Sequence, residues 1–164
     1  MESRVGIGYD LHRFGEGRRL LLGGVYFPGE RGLIGHSDAD PLTHAVIDAL
    51  LGAANLGDIG VHFPPSDPRF AGADSLDLLR RSVELLTQGG WRIANVDATV
   101  IAERPRLTPY ILSMREMLAR AAGIEAARVS VKAKTNEGVG TLGAGEAIAA
   151  LATALIEREA VGSG

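Results

Sequence analysis

Glycine and proline fall along this chain at intervals that admit only short elements. Among 164 residues there are 22 glycines and 7 prolines, set between apolar runs, so each run is bounded at strand or helix length. Residues 4 to 12 predict a first strand, and "RLLLGGVYF" predicts two short strands around Gly23 and Gly24. A loop, "PGERGLIGHSDAD", leads to Asp40 as helix N-cap and Pro41 at the first helical position, so "PLTHAVIDALLGAA" predicts a helix bounded by Gly52 and Gly57. After a second loop, "GDIGVHFPPSDPRFAGA", Ser75 is placed to cap "LDLLRRSVELLTQ", which Gly89 and Gly90 end. "WRIANVDATVIAE" alternates as a long strand that Pro105 stops, and Thr108 with Pro109 opens the helix "YILSMREMLARAA", closed by Gly123. "RVSVKAKTNE" predicts the last strand, and the glycine-rich "GVGTLGAGE" leads into a predicted final helix, "AIAALATALIERE". With no repeat, low-complexity linker or domain boundary, the pattern is one domain over 1–164, an α/β (α+β) sandwich with helices packed on a mixed sheet.

The charge balance, 17 basic against 20 acidic residues, argues against a nucleic-acid or anionic-membrane surface. A phosphate-bearing ligand would need metal ions to supply much of the positive charge. The chain has no cysteine, which excludes disulfides and thiolate metal sites and fits a reducing, intracellular setting. "MESRVGIG" enters a strand at once, with neither signal peptide nor membrane span, and the expected location is cytoplasmic.

Chemistry concentrates first in "GYDLHRFG", where Asp10 and His12 share one face of the strand while Leu11 turns away into the core. Such a pair is either half a metal site or an ordinary hydrogen-bonded pair. His44, in the first turn of the helix after "HSDAD", completes an Asp/His/His set that leaves one tetrahedral position open, as a catalytic zinc site requires. Manganese and iron suit the same donors. Asp48, one turn beyond His44, is placed to hold its other ring nitrogen. Asp38, Asp40, Asp58 and Asp67 sit in glycine-rich loops, either as turn formers or as contacts to sugar hydroxyls and phosphate oxygens. Thr135 and Glu137 share a face of the last strand by the same period of two, and Glu137 offers a hard oxygen ligand for a second cation such as magnesium. Lys132 and Lys134 fall on the opposite, solvated face, and His62 reads as a surface histidine.

These blocks, "RVGIGYDLHRF", "LGGV", "GLIGHSDADPLTHAVIDALLGAANLGDIGVHFP", "NVDATVIAERPRL" and "VKAKTNEGVG", resemble the 2-C-methyl-D-erythritol 2,4-cyclodiphosphate synthase family over nearly the whole chain. The resemblance implies a ferredoxin-like sandwich assembled as a homotrimer, with active sites between subunits. It implies that Asp10, His12 and His44 bind zinc and that Glu137 helps hold magnesium or manganese on the substrate's diphosphate. The implied reaction is internal: the 2-phosphate of 4-diphosphocytidyl-2-C-methyl-D-erythritol 2-phosphate attacks the β-phosphorus, closing a cyclic diphosphate and expelling CMP. Such phosphoryl transfer needs positioning and charge neutralisation rather than a side-chain nucleophile.

By the same resemblance His36 and Thr135 steady the transition state. Ser37, Asp58, Ile59, Gly60, Phe63 and Asp67 hold the methylerythritol and its phosphates alongside Asp10 and His12, while Ala102, Pro105, Arg106, Leu107 and Thr108 form the cytidine pocket of the neighbouring subunit. Lys134 joins Thr135 and Glu137 among the substrate contacts. Pro65 stands where the family commonly has an acidic residue that meets an erythritol hydroxyl. Thr141 and Ala144 stand where some members have an aromatic residue and an arginine. That arginine is associated with anion binding on the trimer axis, so such regulation is not expected here.

Overall fold

The computed structural model describes residues 1 to 160, so the last four positions of the expected 1–164 domain lie outside it. Strands β1 (Glu2–Gly15), β4 (Gly32–Leu33), β5 (Arg92–Ile101), β6 (Val129–Lys134) and β7 (Ala147–Arg158) form one sheet in the order β4-β1-β7-β5-β6. The sheet is mixed: β5 and β6 run parallel, and every other pair is antiparallel. Strands β2 (Leu20–Leu22) and β3 (Val25–Phe27) form a separate hairpin turned at Gly23 and Gly24, both at positive φ, as the Gly-Gly pair predicts.

Helices α1 (Pro41–Ala53) and α4 (Ile111–Ala122) pack on one face of the sheet and α3 (Ser75–Gln88) packs against both of them, with single-turn helices α2 (Ile59–His62) and α5 (Gly140–Gly143) in the loops. Helix α1 sinks directly onto β1 because Gly6 and Gly8 present no side chain to it; a Cβ on Gly8 would lie 1.9 Å from the Ala45 carbonyl oxygen. Ala150, Ala152 and Ala154 on β7 are also buried and nearly as small. Leu42, Ile47, Leu50 and Leu51 of α1, Leu79 and Leu86 of α3, Met114 and Leu118 of α4, and Leu20, Leu22 and Phe27 of the hairpin fill the core.

Three expectations are corrected. Residues 147–158, expected to be helical, form β7, the central strand. Alanine favours helix intrinsically, but β7 hydrogen-bonds along both edges, Glu2 to Arg13 on one side and Arg92 to Ile101 on the other, and that pairing overrides propensity. Leu11 turns away from Asp10 and His12 but not into the core. It lies with Val5, Ile7 and Tyr9 on the opposite sheet face, 41%, 72%, 70% and 55% exposed. The strand expected through Glu137 ends at Lys134. Among the described residues, no helix is long and apolar enough to cross a membrane.

Candidate active site

The start of α1 is fixed by Asp40, as expected from the Asp-Pro pair. Its buried carboxylate caps the helix by accepting from the Thr43 amide (3.0 Å) and hydroxyl (2.7 Å), and it also accepts from the amides of Gly23 (2.9 Å) and Gly24 (2.7 Å). Burial pushes the Asp40 pKa up. With four donors inside the protein, this carboxylate ties the β2–β3 turn to α1 and has no role at a ligand.

One turn into α1, His44 meets the end of β1. Its Nδ1 lies 3.0 Å from Asp10 Oδ2; His12 Nε2 lies 2.8 Å from the same oxygen and 3.3 Å from His44 Nδ1. The outer ring nitrogens are both occupied. His12 Nδ1–H donates to the Ile34 carbonyl (2.8 Å), which leaves the Nε2 lone pair facing the cluster. His44 Nε2–H faces the hydroxyls of Ser75 (2.7 Å) and Ser37 (3.1 Å). The Ser75 hydroxyl donates to Asp38, whose second oxygen accepts from the Ser75 amide (2.9 Å), so the Ser75 oxygen is left to accept from His44. A carboxylate–serine–histidine relay therefore orients His44. Asp48, expected in this place, instead accepts from the Ile59 amide (2.8 Å) and fixes the loop below the site; burial pushes its pKa up. Ser75 is not the cap of α3 either, because Asp74 accepts from Leu76 N. The signal for Ser75 was its hydroxyl next to a capping Asp, which helix rules assign to the helix terminus.

With no metal on the cluster, burial would raise the Asp10 pKa, yet hydrogen bonds from His12 and His44, donated when the facing ring nitrogens also carry a proton, outweigh it and hold the carboxyl at about 2. Burial likewise disfavours the charged form of His12, but Asp10 more than offsets it and the pKa is raised. Two imidazoles and a carboxylate, with ligand atoms all within 4.8 Å of one another, fit a divalent metal ion. Their separations of 2.8 to 3.3 Å approach the edges of a tetrahedral ligand set, about 3.3 Å for bonds near 2.0 Å.

These three side chains form one wall of a cavity of about 210 Å³, closed by His36, Ser37, Ile59, Gly60, Phe63, Pro65, Phe70 and Leu78. The cavity brings together His36, Ser37, Ile59, Gly60 and Phe63 beside the three side chains. Asp58 caps α2 by accepting from Val61 N (3.0 Å), and Asp67 is engaged by the Arg69 guanidinium (2.6 Å). His62 Nε2 donates to the Leu56 carbonyl (2.7 Å).

Ala102, Pro105, Arg106, Leu107 and Thr108 line a second hollow of about 410 Å³ together with Lys134 and Thr135. Lys132 pairs with Asp97 (2.5 Å). Glu137, at φ 53, lies in a turn beyond β6, so Thr135 and Glu137 are not related by strand alternation as expected. The turn still brings them together: the Thr135 hydroxyl donates to Glu137 Oε1 (3.4 Å). The two hollows are separate within one chain. Asp10 pairs with Ala150, Ala150 with Val100, and Val100 with Ala133, three strand spacings or about 14 Å.

Comparison with known proteins decides the family: the model of the YgbB family matches residues 3–157. The chain belongs to that family. It is 60% identical over 152 residues to the 2-C-methyl-D-erythritol 2,4-cyclodiphosphate synthase of Symbiobacterium thermophilum, covering 93% of this chain and 97% of that relative. The structure of the bifunctional IspDF from Campylobacter jejuni matches with a TM-score of 0.92 and 38% identity, over 96% of this chain; the match spans only 42% of that longer protein. The CDP complex of IspF from Plasmodium falciparum matches with a TM-score of 0.83 and 32% identity, over 95% of this chain and 96% of that one.

Proposed function

We propose that this chain converts 4-diphosphocytidyl-2-C-methyl-D-erythritol 2-phosphate to 2-C-methyl-D-erythritol 2,4-cyclodiphosphate and CMP, as a cytoplasmic phosphorus-oxygen lyase of the non-mevalonate isoprenoid pathway. The observation that carries this reading is the convergence of Asp10, His12 and His44 on a cavity wall in a member of this family. Those three residues would hold zinc, and Glu137 would hold magnesium or manganese on the diphosphate. Divalent cations there supply Lewis-acid polarisation and charge neutralisation at phosphoryl oxygens. The residues of the chain supply the geometry. His36 and Thr135 donate to the phosphates, and Ser37, Ile59, Gly60 and Phe63 pack the methylerythritol. Residues 102–108 receive the cytidine, with Lys134 at the edge. An oxygen of the 2-phosphate forms the new bond to the β-phosphorus as the bond to the CMP oxygen breaks.

The active unit on this reading is a homotrimer. The bare sheet face with Val5, Ile7, Tyr9 and Leu11 supports it, being the kind of contiguous apolar patch that a partner covers. So does the separation of the triad from the nucleotide hollow, since a second copy can bring its own residues 102–108 and 134–137 to the first copy's triad. Phosphorus NMR of the protein with substrate, zinc and magnesium tests the chemistry. CMP and the cyclic diphosphate are expected in equal amounts. CMP with a linear phosphate would make water the nucleophile, and no turnover would remove the assignment.

A further inference from the structure

Strand β5 makes its last rung to the β6 side when Ala102 N donates to the Lys134 carbonyl (2.9 Å). The next residue, Glu103, lies at the start of the nucleotide segment and reaches across to the turn after β6. Its Oε1 accepts from the amides of Asn136 (2.7 Å) and Gly138 (3.4 Å). Between those amides sits Glu137, at φ 53, a left-handed conformation that side-chain-bearing residues seldom adopt. Backbone curled this way turns its N–H groups inward as a cradle for an anion. Here the chain supplies the anion itself, from the segment that also walls the 410 Å³ hollow.

We propose that Glu103 is a positioning residue: it fastens the turn carrying Thr135 and Glu137 to the nucleotide segment and so couples nucleotide binding to cation binding at Glu137. This rests on the roles given to Thr135, Glu137 and residues 102–108 above, and it deepens them. Without the carboxylate the amides of Asn136 and Gly138 lose their acceptor, and the left-handed turn, still closed on itself by Val139 N–H donating to the Asn136 carbonyl (2.9 Å), loses its tie to the nucleotide segment. Glu103→Gln keeps an oxygen acceptor at the same reach, whereas Glu103→Ala removes it.

The test uses the full chain in three forms: wild type, Glu103→Ala and Glu103→Gln. Glu103→Ala is expected to raise the magnesium concentration for half-maximal turnover and to weaken CMP binding by calorimetry, each by about tenfold. Glu103→Gln is expected to recover most of both. A carboxylate that only stabilised the fold would lower Tm and leave both titrations unchanged, and that result overturns the proposal. If alanine does not fold, Glu103→Asp, one methylene short, takes its place. If the wild type itself neither turns over nor binds CMP, the proposed function fails, and amide hydrogen exchange then decides the strut. Protection at Asn136 and Gly138 that is lost in the alanine variant sustains it, and equal exchange overturns it.

Discussion

Gly8→Ala probes how the Asp10–His12–His44 triad is assembled without touching any of its three side chains. A Cβ at this position would lie 1.9 Å from the Ala45 carbonyl oxygen and 2.8 Å from the Ala49 amide nitrogen, both rigid backbone. Real Cβ atoms do not come closer than 3.0 Å, so β1 and α1 must part by at least about 1.1 Å. Asp10 lies two residues along that strand, and His44 immediately precedes Ala45. The separation therefore opens the 3.0 Å and 3.3 Å edges to His44 while sparing the 2.8 Å edge between Asp10 and His12. Metal–ligand bonds tolerate about 0.2 Å, so His44 falls out of reach. The expected result is zinc binding weakened about 100-fold, the upper end of what misplaced supporting groups cost, with folding stability lowered by about 1–3 kcal/mol. Chelator competition with zinc measures the first and urea unfolding the second, with circular dichroism to verify the fold. Gly52→Ala is the control: it sits in α1 with only the Ile7 carbonyl oxygen within range, at 4.0 Å. It should bind zinc normally and gain about 0.5–1 kcal/mol. A folded Gly8→Ala protein with wild-type zinc affinity would refute the argument that glycine contact sets the triad.

Ser75→Ala removes the nearer acceptor of His44 Nε2–H but leaves Ser37 at 3.1 Å, so zinc affinity should fall about tenfold with the fold intact; unchanged affinity would place Ser75 outside the relay. In metal-free protein, Asp10 is held at about 2 against an ordinary 3.8. A depressed carboxylate pKa adds stability above the unfolded value and loses it as pH falls through the folded one, so the advantage over Asp10→Asn should be about 2 kcal/mol at pH 5 and vanish toward pH 2. An advantage that does not change with pH in urea melts would contradict this. Ile7→Lys places a charge on the bare sheet face, where Ile7 is 70% exposed. Light scattering should show a trimer for the wild type and monomers for the variant, and a monomeric wild type would end the trimer reading.

The triad was legible because strand alternation is local. Asp10 and His12 share a face in any strand, and Asp40 with Pro41 fixes where α1 starts and hence where His44 points. What failed depended on distant partners. The alanines of β7 carry helix propensity in their own composition, and only pairing with β1 and β5 makes them a strand. Leu11 looked like core because it is apolar, yet its face of the sheet is bare. Asp48 had the right helical spacing from His44, but Ser75, from another helix, occupies that ring nitrogen. Thr135 and Glu137 do come together, but through a turn tied to Glu103 rather than through strand alternation.

The central position of β7 also constrains how the chain acquires its shape. The strand that joins β1 to the β5–β6 pair is the last in sequence among the described residues, and its final residue, Arg158, pairs with Glu2 at the start of β1. Until those residues leave the ribosome, β1 and β5 each present an open edge, and the α1 surface has only half a sheet to rest on. Closing the sheet last, across nearly the whole chain, is a high-contact-order step and correspondingly slow. A nascent chain stalled before residue 147 would hold two open strand edges, on β1 and β5, the kind of edge prone to pair with another chain. Chaperone capture of such intermediates, rather than of the finished protein, is where the cost of this topology should appear.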